Sequence, residues 1–307
     1  MFPKKIRNHA LLVLAALIWG AAFVAQRTGG DAVGAFTFNG VRSLCGSAVL
    51  ALGILFRNLL GHPGKKPKTK EEKKLLWLAG GSCGIVLCAA TNLQQVGINM
   101  GTPAGKAGFL TACYIILVPI LGLFLKKKCS IFAAVGVLLS VCGLYLLCMH
   151  GKLSFQLPDV LILLCALMFA VHILVIDRFS GRVDPIRMSC IQFLVSGTIS
   201  CIIMIFTETG HTPEEVKAWA QAFSEPGALI AILYAGICSC GIAYTLQIIG
   251  QREVNPTVAS LLMSLESVFS VLAGALILGE RMSLREICGC LLIFSAVVLA
   301  QIPQKTN

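Results

Sequence analysis

Residues 91–104 read TNLQQVGINMGTPA and residues 244–257 read YTLQIIGQREVNPT. Each closes a long apolar run with amide side chains and then reaches a proline. Leu93, Gln94, Gly97 and Pro103 match Leu246, Gln247, Gly250 and Pro256, every pair 153 positions apart. The same offset pairs GLFLKKK at 122–128 with ALILGER at 275–281, and Gly136 with Gly289. That offset is about half of the 307 residues. The chain therefore reads as one unit written twice, over residues 1–150 and 151–307.

The solvent of that unit follows from composition. Hydrophobic residues make up 57% of the chain and charged residues 13%, with a mean hydropathy of +0.85. Soluble domains carry about 25% charged residues, and a single soluble core stops growing near ~250–300 residues. Lipid is the expected surroundings. A membrane-spanning helix needs roughly 20 apolar residues, and ten segments qualify as candidates: 10–27, 33–56, 75–98, 103–125, 130–149, 158–177, 187–206, 228–250, 256–278 and 286–302. Runs of this length exclude barrel strands, which leaves helices as the way to satisfy every backbone group in lipid. The expected fold is an all-α membrane protein of ten transmembrane helices. MFPKKIRN and the run after it read as the first membrane helix rather than a cleaved leader, because Trp19, Phe23 and Arg27 continue the segment where small residues would mark cleavage.

Charge gives the orientation. With the N-terminus inside, the cytoplasmic segments hold 18 Lys and Arg, including Lys4, Lys5, Arg7, the run from Arg57 to Lys74, and Lys126 to Lys128. The outer segments hold five: Arg27, Lys152, Lys217, Arg281 and Arg285. This is the positive-inside pattern, so the excess of +11 calls for no nucleic-acid partner. Five helices per unit is an odd number, so the second copy enters the membrane upside down. Such inverted repeats place a site at their interface near the bilayer midplane.

The fourteen cysteines lie mostly within apolar runs, where Cys acts as a small hydrophobe. Cys238/Cys240 and Cys288/Cys290 lack a nearby histidine to complete a metal site, so no metal and no cofactor is expected. No G-x-x-x-x-G-K-[ST] motif occurs, so energy must come from a gradient rather than from a nucleotide. In the outer loop, Thr212-Pro213-Glu214-Glu215 reads as a capping box opening a short helix through Trp219.

Ionisable groups at membrane depth are functional candidates. Glu266 sits ten residues into its segment, ~15 Å deep at 1.5 Å per residue. It suits proton carriage or contact with a substrate amine, or else serves as a protonated or paired group that only joins helices, and Ser270 follows one turn later on the same face. Helical spacing puts Cys88, Asn92, Gln95 and Asn99 on one face of the third segment. It puts Cys240, Tyr244, Gln247 and Gln251 on one face of the eighth. These stripes read either as pathway lining or as interhelical hydrogen bonding. Trp19, Tyr114 and His172 are at mid-depth. The aromatics suit stacking on an organic substrate or cation, or simple packing, and His172 is a second candidate for proton coupling. Arg42 suits a substrate carboxylate or snorkelling, Gln192 lies roughly opposite it in the repeat, and Lys106 is expected to snorkel at the outer end of its helix.

ALIWGAAFV at 16–24, FNGVRSLCGSAVLAL at 38–52, GKAGFLTACYIILVPILGLFL at 105–125 and SLESVFSVLAGALILGER at 264–281 together resemble the EamA-type branch of the drug/metabolite transporter superfamily, over nearly the whole chain. The resemblance implies a bacterial multi-pass protein of the inner cell membrane. It also implies export or exchange of small metabolites, often amino acids, through a central cavity, and an arginine at the position of Arg42. Two features depart from the family pattern: Ser267 stands where a proline often follows the glutamate, and KKK stands where a GER-like end is usual. Efflux of drugs or organic cations is the rival within transport. An intramembrane enzyme or lipid-handling protein, a rival from another class, would need clustered His, Asp, Glu or Ser, and the five histidines are scattered.

Overall fold

The computed structural model describes residues 4–61, 64–102, 104–127, 129–149, 156–278 and 282–302. Pro103, Lys128, Lys152, Glu280, Arg281, Lys305 and the boundary at residue 150 lie outside these, as does the side chain of Arg27. The described residues form helices and connecting turns, with no strand among them. In order these are α1 (Lys4–Val33), α2 (Ala35–Leu59), α3 (Lys70–Asn99), α4 (Ala104–Ala112), α5 (Tyr114–Phe124), α6 (Ile131–Cys148), α7 (Leu157–Phe179), α8 (Pro185–Thr207), α9 (Pro213–Ala222) and α10 (Pro226–Tyr234). A π-helical stretch (Ala235–Ala243) then leads into α11 (Tyr244–Gly250), α12 (Pro256–Met263), α13 (Leu265–Leu278) and α14 (Leu284–Ala300).

Seven described helices are long and apolar enough to cross a membrane, taking Lys106–Phe124 and Pro226–Gly250 each as one, and Ile6–Ala22 and Pro256–Leu272 are shorter apolar helices. Their ends are fixed where the chain regains polar side chains. Thr69, Ser130, Asp184, Thr212 and Ser283 each accept a hydrogen bond from a first-turn backbone N–H, which satisfies donors that the helix leaves orphaned. The expected capping box at Thr212 is present, with Glu215 returning to the Thr212 N–H.

Three segments expected to be continuous are interrupted. The fourth breaks at Cys113 between α4 and α5, and the ninth at Ser264 between α12 and α13. The eighth winds as a π-helix over Ala235–Ala243. No glycine or proline marks the second break. Instead Ser260 Oγ donates to the Thr257 carbonyl at 2.8 Å and Ser264 Oγ to the Leu261 carbonyl at 2.7 Å. Hydroxyls returning to their own helix in this way bend it. The interruption thus falls one turn before Ser267, with no proline beside it.

With no hydrophobic drive between helices in lipid, packing depends on small residues that let backbones approach. A β-carbon on Gly136 would sit 2.9 Å from the Ala296 carbonyl, and one on Gly143 would sit 2.7 Å from the Gly289 carbonyl. Helices α6 and α14 therefore run antiparallel. Helices α2 and α8 do likewise, with Gly40 against Cys201 and Leu44 against Gly197. Along α3, Gly80 and Gly84 admit the backbone of α8, and Gly97 admits that of α7.

Lys106 departs from the snorkelling expected of it. Its Nζ lies 2.6 Å from Asp159 Oδ2, a carboxylate 2% exposed in the first turn of α7. The partner is close enough to hold the side chain against the helices.

Candidate functional site

The interruptions and the polar faces converge on one cavity, which encloses about 600 Å³ of space between protein atoms, its mouth included. Trp19 and Gln26 reach it from α1, Arg42 from α2, and Thr91 and Gln94 from α3. Thr111 and Tyr114 flank the break at Cys113. The far side is built by Phe169, His172 and Ile173 of α7, Ser239 of the π-helical stretch, and Tyr244 and Gln247 of α11. Met263 and Glu266 flank the break at Ser264. A helix interruption thus delivers side chains to this cavity in each half. Three lining pairs, Trp19/His172, Thr91/Tyr244 and Gln94/Gln247, stand 153 positions apart, the offset of the sequence repeat.

Tyr244 is the hub of the aromatic wall. Its ring centroid lies 4.7 Å from that of Trp19, 5.3 Å from Phe193 and 5.9 Å from His172, all edge-to-face, the arrangement ring quadrupoles favour. His172 Nε2 donates to Gln192 Oε1 at 3.3 Å, and Nδ1 has no partner among the described residues. Gln94 Nε2 donates to Thr111 Oγ1 at 3.0 Å. Arg42 is 4% exposed, with its guanidinium 5.0 Å from the Phe38 ring centroid. Glu266 is 9% exposed, and among the described residues no hydrogen bond or ion pair reaches its carboxylate.

Buried polar atoms are normally paired. Here Trp19 Nε1, Gln26 Oε1, Arg42 Nε, His172 Nδ1 and Gln247 Oε1 have no partner within the described chain, and all five belong to residues lining the cavity. Donors, acceptors, a cation and a carboxylate around a partly aromatic space form a surface that can take up a small polar organic molecule.

Seven of the residues expected from sequence come together there: Trp19, Arg42, Tyr114, His172, Tyr244, Gln247 and Glu266. Four do not line it. Asn92 joins helices instead: its Oδ1 accepts from Asn39 Nδ2 at 2.9 Å and its Nδ2 donates to Ser200 Oγ at 2.8 Å. Gln95 Nε2 donates to the Gln26 carbonyl at 3.0 Å, tying α3 to α1, and Asn99 Nδ2 repeats this one turn on with the Gly30 carbonyl at 2.9 Å. Gln192 stands behind His172, and Ser270 lies where α13 presses on Gly20 of α1. The stripe expected on α3 is therefore a helix-joining face, and the cavity takes the neighbouring face with Thr91 and Gln94. Gln94 carried a signal, since it is the residue that matches Gln247 in the repeat.

The EamA-like transporter family matches this chain twice, over residues 7–149 and 156–301. An uncharacterized transporter of Archaeoglobus fulgidus is 28% identical over 305 residues, 97% of this chain and 87% of that protein. The uncharacterized transporter YoaV of Bacillus subtilis is 23% identical over 300 residues, 94% of each chain. A solved crystal structure superposes with a TM-score of 0.75 at 20% identity, covering 96% of both chains, and shares the fold. This chain belongs to the EamA-like transporter family.

Proposed function

We propose that the protein is a secondary transporter of small metabolites, with amino acids as its preferred class, working by alternating access to the cavity between two inverted repeats. In this reading the ten expected segments are ten spans of a bacterial inner membrane, with both termini cytoplasmic. Support comes from the two family matches either side of residue 150. It comes also from the antiparallel meeting of α6 and α14 at Gly136/Ala296 and Gly143/Gly289, and from the three lining pairs at the 153-residue offset of the repeat.

The observation that carries the substrate class is the presence of a guanidinium and a carboxyl group in one cavity. Arg42 and Glu266 line the same cavity, so one end of a ligand finds a cation and another a carboxylate. A zwitterion carrying an ammonium and a carboxylate satisfies both, beside aromatic walls that suit its apolar side chain. An organic cation would satisfy Glu266 and the rings but leave it beside the Arg42 guanidinium. Glu266 and His172 are the groups we assign to proton coupling, and the neighbouring Gln94, Gln247 and Tyr244 to orientation.

Reconstitution in liposomes tests the reading. Accumulation of labelled amino acids is measured with and without an imposed pH gradient. Gradient-dependent accumulation of one class supports a proton-coupled carrier. Equilibration alone makes it a facilitator or exchanger and removes the coupling role from Glu266. Movement of organic cations with no movement of amino acids overturns the substrate assignment.

A further inference from the structure

A second concavity lies on the outer surface of the bundle, away from the central cavity. It encloses about 1070 Å³ between α3, α5 and α7, open space included, and Leu78, Leu121, Phe124, Leu125, Leu174 and Val175 contribute to its walls. Five residues of α7 line it, Val171, Leu174, Val175, Arg178 and Phe179, over a length of ~12 Å at helical rise. Nearly everything that lines it is apolar except at one end, where Arg178 stands. Arg178 is exposed, and no described hydrogen bond or ion pair involves it. Its sequence neighbour Asp177 is held by Lys127, so the acidic group nearest in sequence is already occupied. Lys126, exposed in the turn after α5, and Lys74, one helical turn before Leu78 on α3, add positive charge at the same end.

An apolar trough ending in unpaired positive charge has the polarity of a phospholipid. The geometry points to a specific site for one anionic phospholipid of the cytoplasmic leaflet, its acyl chain in the trough and its phosphate at Arg178. Basic groups at the cytoplasmic ends of transmembrane helices select anionic headgroups in this way. An ordinary annular lipid needs neither the concavity nor the charge. The leaflet assignment rests on the orientation under the proposed function, whereas the binding itself does not, because it can be read in detergent without any transport. Helices α3 and α5 precede residue 150 and α7 follows it, so the lipid would bridge the two halves that move in alternating access.

Native mass spectrometry of the purified full chain tests the site, with phosphatidylglycerol and phosphatidylcholine offered at equal mole fraction. Phosphatidylglycerol adducts should exceed phosphatidylcholine adducts by about fivefold for the arginine alone. In Arg178→Gln that preference should fall by about fivefold, and in Arg178→Lys it should persist. Ser82→Phe, which fills the trough without touching charge, should lower occupancy by both lipids. Equal binding of the two lipids by the wild type, or full preference in Arg178→Gln, overturns the proposal. If Arg178→Gln lowers the melting temperature so far that adducts cannot be compared, Ser82→Phe decides. Unchanged phosphatidylglycerol occupancy in that variant overturns the site, and loss of occupancy supports it.

Discussion

Gly143 of α6 and Gly289 of α14 lie back to back: a β-carbon on either would sit 2.7 Å from the carbonyl oxygen of the other. Each backbone is the other's packing surface, so neither position tolerates a side chain unless the helices part. Gly143→Val or Gly289→Val should destabilise the protein by about 1–3 kcal/mol, the usual cost of overpacking. Thermal unfolding in detergent reads this directly. Gly53, which has nothing within 4 Å of its would-be β-carbon, is the control, and Gly53→Ala should leave the melting temperature in place. Equal melting of all three variants would show that α6 and α14 do not hold the halves together.

The repeat was legible because it is written in residue identity. Gln94 and Gln247, or Gly136 and Gly289, can be matched by eye. The pairing of Trp19 with His172 at the same offset was not, because the two residues differ in identity and come together only at the cavity. Spacing on α3 grouped Asn92 with Gln95 on one face, but it carries no information on which neighbour that face meets. Asn39 and Ser200 meet Asn92, and the Gln26 carbonyl meets Gln95. The break at Ser264 was hidden for a related reason. Serines that return hydrogen bonds to their own helix look, in sequence, like serines that face a partner.

Arg42 and Glu266 make opposite predictions about substrate. Arg42→Gln should weaken binding of a zwitterion through its carboxylate end, by about 2–5 kcal/mol for a buried charge-assisted contact, which is more than an order of magnitude in affinity. It should leave binding of an organic cation unchanged or improved. Competition of an amino acid and its decarboxylated amine against labelled substrate separates the two effects. If Arg42→Gln weakens both competitors alike, the guanidinium holds the fold rather than the ligand.

Glu266→Gln keeps the size of the side chain and removes its ability to carry a proton. Accumulation driven by a pH gradient should fall to the level of protein-free liposomes. Exchange of internal for external substrate should continue at a measurable rate if the residue serves coupling alone. Gradient-driven transport at the wild-type rate would sink the assignment, and loss of both activities with an unchanged melting temperature would make Glu266 a ligand.

Lys106 and Asp159 are tested as a pair. Asp159 Oδ2 takes both the Lys106 ammonium at 2.6 Å and the Gln156 backbone N–H at 2.7 Å, so it caps α7 while it anchors α4. Lys106→Met strands a carboxylate that is 2% exposed and should cost about 3–5 kcal/mol. Adding Asp159→Asn should recover part of that loss, because the amide carries no charge and still accepts from Gln156. A double-mutant cycle in chemical denaturant measures the coupling, and strictly additive effects would show that the two charges are solvated independently.

Glu208 closes the N-terminal end of α2 by a different device. Its carboxylate accepts from the Phe36 N–H at 2.9 Å, the Thr37 N–H at 2.6 Å and the Thr37 hydroxyl at 2.7 Å, supplying negative charge at the N-terminus of α2, where the helix dipole favours it. The Thr37 hydroxyl in turn accepts from Trp219 Nε1 at 3.0 Å, so the short helix α9 rides on the same contact. Gly34 is fixed by this arrangement twice over, by a φ of +93° and by the Glu208 carboxyl, which lies 2.7 Å from where a β-carbon would stand. Glu208→Ala removes a helix cap worth about 1–2 kcal/mol and loosens the hydroxyl on which Trp219 depends. Hydrogen exchange should therefore accelerate both at residues 35–38 and at the distant residues 213–222, with little change at α6 and α14. Trp219→Phe should accelerate exchange in α9 alone, since Glu208 still caps α2. Faster exchange at α2 in that variant would mean that α9 braces the cap rather than hanging from it.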